Sequence, residues 1–401
     1  MVIDSRLPAF LSTLLLWLVA VSVEASPFLY VPSELPPGVG QLNVIDTASE
    51  TVTATMPLPG VASGIALSSG GDRLFLAVCD LDSVLEIDTQ SLTIVARIAV
   101  GHCPRSLAKH PTDSRLFVGI LGGLRGDPEF FSHDPETRGV AIVDTGQGRV
   151  VANVSVPIHL LGLAVAPDGS HLYVASDNEN FELFETAMYQ RIEQESPHLD
   201  GGSFWGLAAG RTTSHVYLGD QPGGRVLVAN GYTGSEIESV ELGGSPWGIA
   251  VHPTTSMVFV AVSRPNSELV AVDVERYEVV GRVAVPEGSA AVTLDPGGQR
   301  AYVVSSADGR GVVSFVDTAT LQVTGQAEFS GVARFWGADF IGAPSASSVS
   351  ATSPEMGEAG GGCAIGNRAS ASPSVLGLFS MIGVTLLLAR APRRLILAAR
   401  H

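Results

Sequence analysis

Short apolar segments alternate with turn residues along most of this chain, in a pattern that repeats. One copy begins at Gly162 with Gly-Leu-Ala-Val, turns through Ala-Pro-Asp-Gly, and continues as Leu-Tyr-Val-Ala up to Ala175. The copies align on a small residue that opens their first strand: Gly64, Ser106, Gly162, Gly206, Gly248, Ala291 and Gly337. Successive copies start 42 to 56 residues apart. This period predicts one supersecondary unit copied many times.

Each copy is predicted to contain four short strands. In the copy that opens at Gly64 they are Gly64–Leu67, Arg73–Val78, Ser83–Ile87 and Thr93–Val100. Gly, Asp, Pro and Ser stand between them, as tight connections between strands require. No segment in 28–340 has a sustained apolar period of 3.6 residues, so the pattern favours an all-β fold.

The two ends of the repeat region complement each other. The chain begins with three strands that lack an innermost neighbour: Phe28–Val31, Gln41–Ile45 and Thr51–Thr55. Gly337–Ile341 has the pattern of an innermost strand without the rest of its unit. Joined, the two parts make one composite blade. With six complete copies they predict a seven-bladed β-propeller of four-stranded blades over residues 26–342, closed by pairing of the N- and C-terminal strands.

Four segments carry a resemblance to a known repeat. They are Ala164–Gly169 (Ala-Val-Ala-Pro-Asp-Gly), Tyr173–Ser176, Val44–Thr47 (Val-Ile-Asp-Thr) and Ile98–Pro104. Together they resemble the YVTN-type β-propeller repeat over about residues 28–341, although Glu185 and Asn230 replace its turn aspartate in two blades. The resemblance implies an exported, surface-associated propeller, and it carries over no catalytic residue.

The first 25 residues are typical of an export signal. An apolar run from Ala9 to Val23 precedes the small-x-small site Val23-Glu-Ala25, which predicts cleavage after Ala25. A membrane anchor is the alternative, although the run is short for a membrane span.

The other end of the chain has three parts in a distinctive order. Residues 343–374 have the Gly, Ala and Ser content of a flexible linker and include Cys363, and residues 375–401 are an apolar stretch followed by arginines. This order resembles the C-terminal sorting signals of Gram-negative bacteria, most closely the MYXO-CTERM type. The resemblance implies export, retention by the tail and processing at Cys363, with the arginines on the cytoplasmic side. An ordinary tail anchor is the alternative.

The net charge of the chain indicates which classes of partner it can bind. The formal net charge is −17 and the pI is near 4.8, which disfavours nucleic acid because phosphate binding needs basic patches. We therefore expect no nucleic-acid partner. We expect a membrane contact through the tail, with the body in the periplasm or on the cell surface.

Three cysteines are present. If Cys363 belongs to the tail, Cys79 and Cys103 remain as a pair on neighbouring connections of one face of the propeller. Export makes a disulfide chemically possible, and its Cα atoms would have to come within about 7 Å. Two free thiols are the alternative.

One aspartate recurs at the same place in the repeat. It occurs as Asp46, Asp88, Asp144, Asp273 and Asp317. A ring of metal ligands is one interpretation. We favour another, in which each side chain accepts hydrogen bonds from the backbone of its own turn. One copy in each blade would spread the carboxylates around the rim.

Uncommon residues gather on the face that propellers commonly use for ligands. A tryptophan directly precedes the small residue of three inner strands, and an arginine does so in another: Trp205, Trp247, Trp336 and Arg105. His102 and His159 lie in the same class of connection. These six residues are the candidate ligand site at the channel mouth, since Trp and Arg are favoured anchors. Packing between neighbouring blades is the alternative for the tryptophans.

Two irregular segments project from the same face. Gly119 to Arg138 is an insertion that contains Phe130 and Phe131, which either meet a partner or fold back onto the blade. Asp177–Asn180 offers oxygen atoms suited to Ca²⁺, without the spacing of an EF-hand. Calcium is the one cofactor that the residues make possible, and none is predicted outright; no other metal is assigned.

These features predict a binding module that takes a protein or small-molecule ligand at the cell envelope. The alternative is a propeller enzyme, either a lactonase-like hydrolase or a quinoprotein-like dehydrogenase. Such an enzyme needs acids, Asn or His converging at the channel mouth, and the inner strands offer few ligands apart from Asp339. No catalytic residue is assigned, so whether the chain is an enzyme stays open.

Overall fold

A computed structural model gives the architecture. It describes residues 28–122, 138–156, 160–176, 181–192, 199, 202–212 and 214–332. The predicted signal peptide with Ala25, the linker with Cys363 and the C-terminal anchor lie outside the described residues. Among the residues that are described, no helix has the length and hydropathy needed to span a membrane.

The described chain forms six four-stranded antiparallel sheets and one three-stranded sheet. We number the blades in chain order, with the N-terminal sheet as blade 7. Blade 1 contains β4 (Ala62–Leu67), β5 (Arg73–Val78), β6 (Ser83–Asp88) and β7 (Thr93–Ala99). Blade 2 contains β8 (Pro104–Lys109), β9 (Arg115–Ile120), β10 (Gly139–Asp144) and β11 (Arg149–Ser155). Blade 3 contains β12 (Leu160–Val165), β13 (His171–Ser176), β14 (Phe181–Glu185) and the two-residue β15 (Gln190–Arg191).

The remaining blades follow the same order. Blade 4 contains β16 (Phe204–Ala209), β17 (His215–Asp220), β18 (Arg225–Asn230) and β19 (Glu236–Glu241). Blade 5 contains β20 (Pro246–Val251), β21 (Met257–Val262), β22 (Glu268–Asp273) and β23 (Glu278–Ala284). Blade 6 contains β24 (Ser289–Leu294), β25 (Arg300–Ala307), β26 (Arg310–Asp317) and β27 (Gln322–Ser330). Blade 7 contains β1 (Phe28–Leu35), β2 (Val39–Asp46) and β3 (Thr51–Leu58).

This arrangement confirms the predicted seven-bladed β-propeller. The ring closes between blades 6 and 7, where β27 lies against β3. Beyond β27, Val332 and Glu34 of β1 exchange two backbone hydrogen bonds of 2.9 Å, so the chain reaches the edge of blade 7. The predicted closing strand, Gly337–Ile341, lies outside the described residues and stays a prediction.

The apolar core lies between neighbouring blades. Phe75 of blade 1 is buried in one cluster with Leu107 and Val118 of blade 2. Tyr217 of blade 4 is buried with Val258 of blade 5 in the same way. Each blade therefore needs its neighbours to bury its faces, which favours a closed ring.

Every complete inner strand contains a one-residue bulge near its start. The register with the second strand shifts in all six, so one residue is left unpaired: Ser63, Arg105, Leu161, Trp205, Trp247 and Ala290. We call these six residues the bulge ring, and the face that carries them the bulge face. The inner strands therefore begin about two residues earlier than predicted, because a bulge interrupts the pairing without ending the strand.

The residue that follows the bulge is glycine in four of these six inner strands, and it allows neighbouring inner strands to approach closely. A Cβ placed on Gly206 would lie 2.7 Å from the backbone oxygen of Trp247. One placed on Gly248 would lie 2.8 Å from the Cα of Ala291. The recurrent glycine thus reflects contact between neighbouring inner strands around the central channel.

The recurring aspartates lie on the opposite face, which we call the turn face. Asp88 Oδ1 accepts hydrogen bonds from the backbone N–H groups of Gln90 and Ser91, at 3.1 and 2.8 Å. Asp46, Asp144, Asp273 and Asp317 do the same in their own turns. Asn230 takes over this role in blade 4, at 2.8 and 3.0 Å. The interpretation of the column as turn residues is therefore confirmed.

Candidate functional site

Three of the predicted site residues meet at the bulge face. The rings of Trp205 and Trp247 lie 4.9 Å apart between centroids, at an angle of 45°. The guanidinium carbon of Arg105 lies 5.6 Å from the centroid of the Trp205 ring, within the range of a cation–π contact. We call these three residues the bulge cluster. It joins blades 2, 4 and 5 across one end of the channel.

The bulges explain how these side chains come together. A bulged residue is freed from the alternation of the pleat, so its side chain takes a new direction. Arg105 is only 6% exposed, while both tryptophans are half-buried. The cluster therefore combines a desolvated cation with aromatic surface that solvent can still reach.

The indole N–H of Trp247 is a further polar group of this cluster. The indole Nε1 of Trp247 is buried and has no hydrogen-bond partner among the described residues. An indole N–H can only donate, and a buried donor left unpaired costs about 1–3 kcal/mol. This group can donate to an acceptor brought in by a ligand.

The other predicted site residues are His102, Trp336 and His159. His102 is half exposed, and its Nδ1 lies 3.7 Å from Asp82 Oδ2. Trp336 and His159 fall outside the described residues. Their membership of the site stays a prediction.

A disulfide joins Cys79 to Cys103 on the same face. Cys79 opens a short 3-10 turn, Cys79–Leu81, directly after β5, and Cys103 directly precedes β8. Their Cα atoms lie 3.8 Å apart. Asp82 Oδ1 accepts a hydrogen bond from the backbone N–H of Cys103 at 3.1 Å. The outer-to-inner connection thus leans over the blade, as the disulfide requires.

The cavity in the channel lies at the other end. It has a volume of about 440 Å³ and is lined by the later halves of five inner strands, β8, β12, β16, β20 and β24. Ala164, Ala208 and Ala250 are among its walls, with Leu207 and Ile249 deeper inside. The sequence predicted a ligand site on the bulge face, but this cavity lies toward the turn face. Large side chains pack together at the bulge end, whereas alanines leave space at the turn end.

Lys109 lines this cavity and was not among the predicted site residues. It is the only lysine in the chain, since 22 of the 23 Lys and Arg residues are arginines. It ends β8, where the other five complete inner strands end in apolar residues: Leu67, Val165, Ala209, Val251 and Leu294. We call these six positions the strand-end ring. A lone lysine in a column of apolar residues was the sequence signal that could have found it.

The cation of Lys109 is only partly compensated. Its Nζ donates to Ser69 Oγ and, at 3.3 Å, to the backbone oxygen of His110. Burial lowers the pKa of the Lys109 ammonium, and the charge of Asp113 opposes this effect. Both hydrogen-bond acceptors are neutral, so the group keeps a net positive charge at the cavity wall.

The predicted calcium segment, Asp177–Asn180, lies outside the described residues, and a buried carboxylate follows it. Glu182 is 5% exposed; its Oε1 lies 3.1 Å from Arg191 Nη2, while its Oε2 is buried with no partner among the described residues. Burial raises the pKa of Glu182, and Arg191 lowers it in part. The described residues contain no group of three or more His, Cys, Asp or Glu that could hold a metal ion.

Comparison with known proteins supports the fold and goes no further. No protein-family model matches the chain, and no curated protein matches it. A functionally unknown protein from Desulfotomaculum acetoxidans DSM 771 superposes with a TM-score of 0.64 at 11% identity, over 80% of this chain and 99% of that one. Dihydro-heme d1 dehydrogenase NirN, in complex with DHE, gives 0.54 at 16% identity, over 76% and 74%. AztD from Citrobacter koseri, in its apo form, gives 0.50 at 16% identity, over 76% and 96%. At such identities the likeness shows the β-propeller fold alone.

Proposed function

We propose that this chain is an exported β-propeller, held at the cell envelope by its C-terminal tail, that binds a ligand with the bulge cluster. Export and anchoring are supported by the apolar leader, by the order of linker, Cys363 and basic end, and by the resemblance to YVTN-type repeats and MYXO-CTERM tails. No step of this proposal requires a catalytic group.

The indole N–H of Trp247, which has no acceptor in the part of the chain that the structure describes, carries the binding proposal. Its ring lies beside that of Trp205, and the cation of Arg105 lies within cation–π range of the Trp205 ring. A ligand with a ring face and a hydrogen-bond acceptor matches both the aromatic surface and the indole donor. Its ring packs on the indole, and its acceptor takes a hydrogen bond from the Trp247 N–H. N-acetylglucosamine units present the C–H face of a chair-shaped ring and an acetamido oxygen, and nicotinamide has a flat aromatic ring and a carboxamide oxygen.

Binding is tested by adding chitotriose, and separately nicotinamide, to protein labelled with ¹⁵N in its indole groups. We expect one of these probes to shift the indole N–H signals of Trp205 and Trp247 together. Trp247→Phe keeps an aromatic ring and removes the donor, so it weakens binding by up to about tenfold. Trp205→Ala removes the stacking surface and weakens it by about thirtyfold or more. Ala290→Ser changes the same ring position in blade 6 and serves as the control. A protein that binds neither probe contradicts the proposed site.

Anchoring is tested separately by fractionating cells that express the full chain and a Cys363→Ala variant. We expect the full chain in the envelope fraction, and the variant to lose its mature, anchored form. A Cys363→Ala variant that is processed and retained like the wild type contradicts the role of Cys363.

A further inference from the structure

The turn end of the channel has the features of a second binding site. A cavity of about 440 Å³ falls within the usual range for small-molecule pockets, which are mostly apolar with a few placed polar groups. Its apolar wall includes Leu207, Ile249 and Val292, and its polar lining groups are Lys109, Thr293 and Asp295. Lys109 is the only cation among these lining residues.

The position of Lys109 is a departure from the repeat. The same place in the other five complete inner strands holds Leu, Val or Ala, so the fold needs no cation there. A lysine at this place spreads an apolar stem along the ring and sets one compact charge at its tip. The chain uses arginine at every other cationic position.

Neither of the carboxylates nearest to Lys109 in the sequence or in the cavity lining forms an ion pair with it. Asp113 Oδ2 lies 2.7 Å from Arg115 Nη2, and Asp295 Oδ1 accepts the backbone N–H of Arg300 at 2.9 Å. Lys109 forms no ion pair with any described residue, and its hydrogen-bond acceptors are a hydroxyl and a backbone carbonyl. A half-buried ammonium without a direct ion-pair partner favours an incoming anion.

We infer that the turn end of the channel binds a small carboxylate with an apolar body, whose anionic group pairs with Lys109 while its body packs on the strand-end ring. The single negative charge follows from the single cation in the wall, since Asp295 would repel a second one. This site is separate from the bulge cluster and stands whether or not the proposed function holds.

The test uses octanoate as the probe on the purified full chain, measured by titration calorimetry. Octanamide and octylamine have the same apolar body with a neutral and a cationic head. We expect octanoate to bind about tenfold to a hundredfold more tightly than octanamide, and octylamine not to bind. Lys109→Met should lose this preference, while the rim variant Arg149→Met, which also removes one cation, should keep it.

A second measurement depends on no variant. Because Lys109 is the only lysine, reductive methylation with ¹³C-formaldehyde places one side-chain label in the chain besides the N-terminus. Octanoate should shift this Lys109 signal and raise the pKa of its ammonium. Three results would overturn the inference: no binding of octanoate, equal binding of octanoate to Lys109→Met, or a Lys109 signal that octanoate leaves unchanged.

Discussion

The two ends of the central channel are built from the same inner strands, six of which the structure describes, yet they differ in chemistry. At the bulge end the residues vary from Ser and Ala to Arg and Trp, and three large ones pack together. At the turn end the ring is apolar except for Lys109. A bulge frees its side chain from the pleat, so that position tolerates diverse residues, whereas the regular strand end stays apolar. Lys109 is the single departure from this apolar strand-end ring, and it therefore points to a function.

The largest expected effect on stability comes from removing the disulfide at the bulge end. The Cys79–Cys103 disulfide closes a loop with a sequence separation of 24. Replacing both cysteines by serine should lower the free energy of unfolding by about 3 kcal/mol, because the unfolded chain regains loop entropy. Urea unfolding of the variant and of the reduced wild type should give the same loss. Two free thiols in the unreduced, unfolded wild-type body would contradict the disulfide.

A smaller loss is expected where the inner strands meet between the two ends. In Gly248→Val the new side chain would collide with the backbone of Ala291, since even a Cβ lies 2.8 Å from its Cα. We expect Gly248→Val to lower the free energy of unfolding by about 2 kcal/mol. Ala291→Gly restores the usual residue of the repeat and should cost about 1 kcal/mol at most. Urea midpoints of the two variants decide it, and a Gly248→Val variant as stable as the wild type would contradict the close packing of inner strands.

Trp247→Phe separates stability from function at the bulge end. It removes a buried N–H that has no partner within the described ranges and keeps most of the ring, so the melting temperature should stay the same or rise. Binding of the flat-ring probe should fall in the same variant. A clear drop in melting temperature would mean that the indole N–H serves the fold and not a ligand.

Much of this fold could be predicted because the repeat marks its own strands. The spacing from Gly64 to Gly337 gave the blades, and the strands at the two ends gave their number. The recurring Asp88 and its equivalents gave the turns, because a side chain that bonds its own turn needs only local sequence.

The site was less predictable for physical reasons. A bulge depends on pairing with the next strand, so the placement of Trp205 and Trp247 inside their strands could not be read from spacing. The end of the channel that stays open depends on how side chains from five blades fill space. Arg105 and Lys109 belong to the same strand, β8, yet they face opposite ends of the channel with different surroundings.

The smallest expected effect is the loss of stability at low pH from an aspartate on the turn face. Burial raises the pKa of Asp273. The backbone N–H of Glu275 and the guanidinium of Arg276 outweigh this effect and hold the pKa of Asp273 below its usual range. Because the folded pKa is the lower one, this stability is present above the unfolded value of about 3.9 and is lost as pH falls through the folded pKa.

The matched pair for this effect comes from blade 4. Asp273→Asn copies Asn230, which accepts the same turn hydrogen bonds without titrating. The stability advantage of the wild type over Asp273→Asn should therefore shrink as pH falls from the unfolded pKa of about 3.9 through the lower folded pKa. Asn230→Asp should gain an acid-sensitive contribution. Urea unfolding at several pH values measures both, and an advantage that is constant with pH would contradict the role given to the carboxylate.

The most direct test of two chemically separate ends is one spectrum with a reporter at each. A sample with ¹⁵N-indole labels and a ¹³C-methylated Lys109 reports both ends at once. Octanoate should move the Lys109 signal and leave those of Trp205 and Trp247 in place, and the flat-ring probe should do the reverse. Octanoate that shifts the tryptophans, or a flat-ring probe that shifts Lys109, would contradict the account.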